Sequence, residues 1–177
     1  AHLSNLGYIK ECSIIGVDPL MEHYKKYGSF PVCSNLKLLD SSGEDIDLRS
    51  NSADYIISTN VIDHVENPAA VISEVKRVLK PGGSFFVSSH VLQKVFTYSA
   101  RIFKYIDKNH PHHFSEKSFI AMLERNFNNV VVSYRASIVE DQPDFAISRI
   151  MKSPSLLRGV KRAASNYILK SVYLNCR

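Results

Sequence analysis

Residues 53–90 read ADYIISTNVIDHVENPAAVISEVKRVLKPGGSFFVSSH, and this stretch decides the fold. The apolar run at 55–59 predicts a buried strand, and a second apolar run at 84–89 predicts another. Between them, apolar residues recur at the spacing of one helical face: Val71, Val75, Val78 and Leu79. The KPGG sequence at 80–83 predicts where this helix ends. Two strands joined by a helix of this length predict parallel pairing with a right-handed crossover.

The same stretch resembles the central block of class I S-adenosylmethionine-dependent methyltransferases, in particular their type 11-like domain. The resemblance rests on an aspartate at the start of the strand, the run NVIDHV at 60–65, and the run EVKRVLKPGG at 74–83 before the next strand. It implies an α/β, Rossmann-like fold with a mostly parallel sheet and an antiparallel last strand. It also implies direct methyl transfer from S-adenosylmethionine, with S-adenosylhomocysteine as product, to a small-molecule, lipid or glycan-precursor acceptor.

The start of the chain departs from that family pattern. Its first residues, AHLSNLGYIKEC, look like a helix already under way, and no Gly-rich turn of the family's type occurs in the sequence. We therefore expect a methyltransferase-like domain at residues 1–152 that is N-terminally incomplete and lacks its first strand. A separate basic amphipathic helix is expected at residues 153–177.

The composition is that of a folded, single-domain protein. Of the 177 residues, 45% are hydrophobic and 22% are charged, and no apolar run approaches the ~20 residues that span a bilayer. The three cysteines form no CxxC pair, which argues against a disulfide framework and a zinc site. We expect a cytoplasmic protein without a bound metal.

The net charge of +5 comes from the C-terminal residues. Six of the 22 basic residues and none of the 17 acidic ones lie at 152–177, so the rest of the chain is close to neutral. A nucleic-acid partner is therefore not expected for the domain. In the first half of this tail, apolar residues share one helical arc: Leu156, Leu157, Val160, Ala163, Ala164, Tyr167 and Ile168. Such a helix can pack on the domain or on a second subunit in a homodimer, make peripheral contact with an anionic membrane, or contact nucleic acid.

Asp18 follows a short apolar strand predicted at 13–17 and precedes Pro19 and a helix predicted at 20–27. A carboxylate at the carboxyl end of a parallel strand can accept hydrogen bonds from a ribose diol. The family resemblance implies that role for Asp18 and places Pro19 beside the adenine. The alternative is local, since Asp before Pro is also common at the start of a helix.

Two further loops are predicted to contact the cofactor. A third strand is predicted at 35–39, and the resemblance implies adenine contacts by three residues in the loop beyond it: Ser42, Gly43 and Glu44. A solvated polar turn is the alternative for this loop. Asn60 and Val61 follow the next strand, at the edge where open α/β sheets bind ligands.

Histidines supply the candidate catalytic bases. Asp63 and His64 stand side by side before the central helix, where a histidine could deprotonate an acceptor. Neighbouring side chains on a helix point about 100° apart, so the pair is not expected to act on one atom. The alternative is that Asp63 caps the helix and His64 packs. The run HPHHF at 110–114 adds His110 and His113, and it lacks the spacing and companion ligands of a metal site.

The remaining elements separate a methyltransferase from its rivals. Helical spacing of apolar residues predicts a helix over 91–108, where the acceptor would be recognised, and Ser115 is predicted to cap a helix that runs to about residue 126. Strands are predicted at 130–136 and 145–151, antiparallel to each other. That reversed last strand favours a methyltransferase over a nicotinamide-dependent oxidoreductase. The other rival, a catalytically inactive Rossmann-like interaction module, differs from the enzyme in cofactor binding.

Overall fold

The computed structural model describes residues 11–27, 35–92, 111–136 and 169–177. Its helices are Met21–Tyr27 (α1), Pro68–Val78 (α2) and Glu116–Glu124 (α3). Its strands are Ile14–Val17 (β1), Leu36–Leu39 (β2), Ala53–Thr59 (β3), Leu79–Leu92 (β4), Phe114–Ser115 (β5), Val130–Ala136 (β6) and Leu169–Cys176 (β7). The elements predicted for the central block are present, and β5 and β7 are additions to the prediction.

The strands form an α/β arrangement in which most neighbours are parallel. One group has the order β3-β4-β7-β6, with β5 paired to β4, and the other is β1-β2. The pairs β1–β2, β3–β4 and β4–β5 are parallel, whereas β7 is antiparallel to both β4 and β6. The crossover from β3 through α2 to β4 is the predicted βαβ unit. A mostly parallel sheet with an antiparallel last strand is therefore confirmed.

That last strand lies in a different part of the chain from the one predicted. β7 pairs with β4 on one side and with β6 on the other. A helix over 153–177 is therefore wrong for residues 169–176. The reason is their spacing, because burial falls on every second residue, as in a strand: Val172, Leu174 and Cys176. The strand predicted at 145–151 and the tail at 153–168 lie outside the described residues.

The core lies between one face of the sheet and the helices α2 and α3. The buried residues of α2 are those of its predicted apolar stripe together with two neighbours: Pro68, Val71, Ile72, Val75 and Val78. In α3, Phe119 and Leu123 are fully buried. Ser115 caps α3 as predicted, since its Oγ accepts the N–H of Ser118 (3.1 Å) while Ser118 Oγ accepts the N–H of Ser115 (2.9 Å).

The junction between α2 and β4 explains the KPGG sequence. α2 ends at Val78, and Leu79 is its C-cap. Gly82 has a φ of 79°, a left-handed conformation that glycine adopts without steric cost. A side-chain carbon at Gly83 would lie 2.9 Å from the Leu79 side chain and 3.0 Å from the Asp54 carbonyl oxygen. Both glycines are therefore required for the tight return of the chain to β3.

The helix predicted over 91–108 falls mostly outside the described residues. Residues 91 and 92 belong to the end of β4, so the helix does not begin there. Within the ranges described above, no helix has the length and apolarity that crossing a membrane requires.

Candidate functional site

The predicted cofactor residues follow the carboxyl ends of β1, β2 and β3, and backbone and side-chain contacts link the segments that follow these strands. β1 and β2 end in register, with Val17 opposite Leu39, and the N–H of Asp18 donates to the carbonyl of Leu39 (3.2 Å). The loop after β2 then reaches the segment after β3, where Glu44 Oε1 accepts the N–H of Glu66 (3.0 Å). Open α/β sheets bind their ligands at the carboxyl ends of their strands.

Asp18 is half-buried at the start of α1. Its Oδ1 accepts the N–H of Leu20 (2.8 Å), and its carbonyl accepts the N–H of Met21 (3.2 Å). Asp18 therefore has the local role that was the alternative, because it accepts hydrogen bonds at the start of α1. That local role does not exclude the ribose role, because Oδ2 has no hydrogen-bond partner among the described residues and each carboxylate oxygen can accept. Pro19 is exposed beside it.

The loop between β2 and β3, residues 40–52, contains the predicted adenine contacts. Ser42, Gly43 and Glu44 are all half-buried there. A side-chain carbon at Gly43 would lie 3.4 Å from the methyl groups of Val71, so the loop backbone packs directly on α2. The Glu44 carboxylate is bonded to backbone N–H groups at the start of α2. The loop is therefore not a freely solvated turn, because these contacts hold it against α2.

Asn60 ends β3 with an unusual backbone conformation. Its φ is 55°, in the left-handed region, where asparagine is enriched among non-glycine residues. Its N–H still donates to the carbonyl of Ser88 in β4 (2.9 Å), so the chain turns directly after the last ladder bond. Asn60 and Val61 are both exposed. Backbone conformations of this kind cluster at functional sites.

Asp63 and His64 lie in a turn and not in a helix, which corrects the prediction for this pair. α2 begins only at Pro68, and its N-cap is Asn67, whose Oδ1 accepts the N–H of Ala70 (3.2 Å). Asp63 is 1% exposed and does not cap α2. His64 Nε2 lies 3.9 Å from Asp63 Oδ2, and the His64 side chain is 38% exposed. The two side chains therefore lie at ion-pair distance, which is longer than a hydrogen bond.

The histidines of the HPHHF run have separate environments. His112 Nε2 donates to the carbonyl of Val65 (2.9 Å), which places a proton on that nitrogen, and its ring stacks on Phe114 with centroids 5.9 Å apart. His113 is half-buried, and His110 lies outside the described residues. Sequence reasoning missed the role of His112, because its partner lies 47 residues away and leaves no local signal.

The electrostatic character of the β2–β3 loop is acidic. It lines an open depression of about 470 Å³ that carries three carboxylates: Asp40, Asp45 and Asp47. Carboxylates favour neutral or cationic ligands over anions. Glu74 of α2 lies against the same loop, and its hydrogen bond with Arg77 lowers the pKa of Glu74. In the described ranges, no group of three or more His, Cys, Asp or Glu side chains could hold a metal ion.

Comparison with known proteins agrees with this arrangement. A family model described as a methyltransferase domain matches residues 1–87, which contain β1, β2, β3 and α2. Methyltransferases are also found among its curated relatives and structural neighbours. The first half of the chain therefore matches the methyltransferase-domain family, and its fold is that of the class I S-adenosylmethionine-dependent methyltransferases. The antiparallel β7 agrees with this family and not with the oxidoreductase alternative.

Two curated relatives of the chain differ in the acceptor that their names state. Thiol S-methyltransferase TMT1B of Homo sapiens is 33% identical over 92 residues, which cover 49% of this chain and 37% of that protein. The mitochondrial ubiquinone biosynthesis O-methyltransferase of Rattus norvegicus is 30% identical over 105 residues, covering 48% of this chain and 28% of that protein. The chain thus spans well under half the length of these relatives.

Solved structures share the fold over nearly the whole chain. Geranyl diphosphate C-methyltransferase from Streptomyces coelicolor A3(2), in complex with Mg²⁺, geranyl diphosphate and S-adenosyl-L-homocysteine, has a TM-score of 0.70. The match covers 98% of this chain and 65% of that chain at 11% sequence identity. At that identity, the likeness establishes the Rossmann-like methyltransferase fold alone.

Proposed function

We propose that this methyltransferase-family protein transfers a methyl group directly from S-adenosylmethionine to a small-molecule acceptor. The observation that carries the proposal is the contact of the β2–β3 loop with the segment after β3, together with the paired carboxyl ends of β1 and β2. The names of the curated relatives support methyl transfer as the reaction. The S-adenosyl-L-homocysteine complex of a structural neighbour supports the cofactor.

The residues in these segments fit an adenosyl group. Asp18 offers a carboxylate oxygen for a ribose hydroxyl. Ser42 and Gly43 carry backbone N–H groups of the β2–β3 loop, which can donate hydrogen bonds to an adenine ring. Asn60 offers an exposed amide, which both donates and accepts hydrogen bonds. Val61 adds an exposed apolar surface next to it, while the acidic loop suits a ligand that carries a positive sulfonium.

The main task of the protein in this reaction is to align the acceptor with the methyl group. When bound, S-adenosylmethionine supplies a methyl group that its sulfonium already activates. The protein then has to orient the acceptor and exclude water, and such alignment can contribute ~7–11 kcal/mol toward lowering a barrier. A thiol or hydroxyl acceptor must also lose a proton. His64 is the candidate base, because it is partly exposed and lies 3.9 Å from the buried Asp63 carboxylate.

A thiol is the first acceptor class to test, because a thiol S-methyltransferase is 33% identical to the chain over 92 residues. A hydroxyl acceptor is the second, from the likeness to a ubiquinone biosynthesis O-methyltransferase. Lipid and glycan-precursor acceptors stay predictions, as do the bases His110 and His113. A cytoplasmic location, a homodimer and membrane contact through the tail also stay predictions, and the tail at 153–168 lies outside the described residues.

The test of the cofactor site is calorimetric titration of the full-length protein with S-adenosylhomocysteine. Asp18→Asn is expected to weaken binding by about tenfold or more, because a charged hydrogen bond to the ribose is lost. Asp54→Asn is the matched control, since Asp54 stands at the opposite end of β3 and pairs with Lys80 Nζ (2.8 Å). The control is expected to bind like the wild type.

Two outcomes would count against the proposal. If the wild type does not bind S-adenosylhomocysteine, the protein is not a methyltransferase, and the inactive interaction module is favoured. If Asp18→Asn and the wild type bind S-adenosylhomocysteine equally well, Asp18 does not contact the ligand. If binding is found, transfer to a thiol panel follows, with His64→Gln expected to lower kcat while leaving the affinity for S-adenosylhomocysteine unchanged.

A further inference from the structure

Hydrogen bonds join the β2–β3 loop to both ends of α2. The residues that make these contacts are two carboxylates and one guanidinium: Glu44, Glu74 and Arg77. Each contact joins a side chain to a main-chain group, on the loop or at the start of the helix. The contacts therefore determine the path of the loop backbone past the helix.

Glu44 ties the loop to the start of α2. Its Oε1 accepts the backbone N–H groups of Glu66 (3.0 Å) and Asn67 (3.3 Å), and Asn67 is the N-cap of the helix. A carboxylate at this place is also stabilised by the partial positive charge of the helix N-terminus. Because this oxygen anchors the loop, Glu44 acts on its neighbours Ser42 and Gly43, which together with Glu44 itself are the predicted adenine contacts.

Arg77 and Glu74 tie the same loop to the last turns of α2. The guanidinium donates to the carbonyls of Leu48 (2.7 Å) and Ile46 (2.8 Å) and to Glu74 Oε2 (2.7 Å). Glu74 Oε2 in turn accepts the N–H of Ile46 (3.1 Å). Both main-chain groups of Ile46 are thus bonded to side chains of one helix. A guanidinium can serve two carbonyls and a carboxylate at once, since it carries five donors in a planar fork.

We propose that Glu44 and the Glu74–Arg77 pair are positioning residues that hold the β2–β3 loop as the adenine-binding wall of the cofactor site. This inference rests on the proposed function and deepens it. α2 is a rigid support, because its apolar stripe is buried against the sheet. A loop that is already held in its bound conformation need not be ordered by the ligand, and the affinity rises accordingly.

The Arg77 anchor can be tested with a matched control. Arg77→Gln removes the bridge to Ile46 and Leu48, and Arg77→Lys keeps the charge but loses the fork. Arg135→Gln is the control, because Arg135 makes a similar bond to Glu116 (2.7 Å) between β6 and α3, away from the loop. Hydrogen exchange of residues 41–48 is measured without ligand. Affinities are then measured for S-adenosylhomocysteine and for adenosine.

Arg77→Gln is expected to speed exchange at 41–48 and to weaken both ligands by a similar factor of about ten. The factor is shared because both ligands carry the adenine. Arg77→Lys is expected to weaken both ligands as well, since one ammonium cannot reproduce the fork. Arg135→Gln is expected to change neither the exchange at 41–48 nor the affinities.

The Glu44 anchor is tested by two substitutions. Glu44→Ala is expected to weaken both ligands about tenfold, whereas Glu44→Gln, whose amide oxygen still accepts a hydrogen bond, is expected to stay within about threefold of the wild type. If Arg77→Gln does not fold, as judged by far-UV circular dichroism, the affinities of Glu44→Ala and Glu44→Gln alone test the positioning role.

The two possible failures can be told apart. Wild-type affinity in both Arg77→Gln and Glu44→Ala, beside a wild type that binds, would overturn the positioning role and leave the proposed function standing. A wild type that binds neither ligand would overturn the proposed function and this inference together.

Discussion

Val87 in β4 and Leu174 in β7 lie opposite each other in an antiparallel ladder, and both side chains are fully buried. Leu174 also faces Val132 in β6, so β7 is the strand that joins β6 to the parallel part of the sheet. The C-terminal residues are therefore part of the hydrophobic core.

Leu174→Ala is expected to lower the free energy of unfolding by about 2–5 kcal/mol, because it leaves a cavity beneath both neighbouring strands. Leu20→Ala is the matched control, since Leu20 is 54% exposed, and its cost is expected to be much smaller. Urea denaturation followed by circular dichroism measures both. Similar stabilities of the two variants would contradict a core position for β7.

The left-handed backbone of Asn60 allows its side chain to be tested separately from its conformation. Asn60→Gly is expected to keep the stability of the protein, whereas Asn60→Ala is expected to lose about 1 kcal/mol, because alanine lacks the short polar side chain that lets asparagine adopt this conformation. If the amide contacts the cofactor, both variants lose affinity for S-adenosylhomocysteine to the same extent. Thermal melts and calorimetry separate the two effects, and full affinity in Asn60→Gly would remove the amide from the site.

The Glu74–Arg77 pair predicts a pH dependence of stability. The hydrogen bond from Arg77 lowers the pKa of Glu74 in the folded protein below its ordinary value of 4.5. The stabilisation is therefore present above the unfolded pKa and is lost as the pH falls through the lower folded pKa. Glu74→Gln is expected to flatten this acid limb of the stability profile, and Glu124→Gln, an exposed carboxyl in α3, serves as the control. Identical acid limbs in Glu74→Gln and wild type would contradict the prediction.

Cys176 and Cys12 are expected to differ sharply in reactivity. Burial raises the pKa of Cys176 to about 12, so its thiol stays protonated at neutral pH, while Cys12 is exposed. Iodoacetamide at pH 8, followed by peptide mass spectrometry, is expected to label Cys12 and to leave Cys176 unmodified until denaturant is added. Rapid labelling of Cys176 in the folded protein would mean that β7 is not held in the sheet.

The sequence by itself predicted the elements whose signals are local. The period of the apolar residues in 71–79 predicted α2 and its buried stripe, and KPGG predicted the end of that helix. Ser115 predicted the start of α3 from capping chemistry. In each case the signal and the element occupy the same few residues, because helix caps, turns and amphipathic faces depend on neighbours within one or two turns.

Only the tertiary structure decided the contacts between distant residues. Residues 169–176 alternate as a strand does, but this alternation does not specify that they pair with β4 on one side and with β6 on the other. The same holds for Glu44 at the start of α2 and for His112 on the carbonyl of Val65. The sequence placed the candidate site after consecutive parallel strands, whereas folding determined which side chains are positioned to bind a ligand and which ones hold the loops in place.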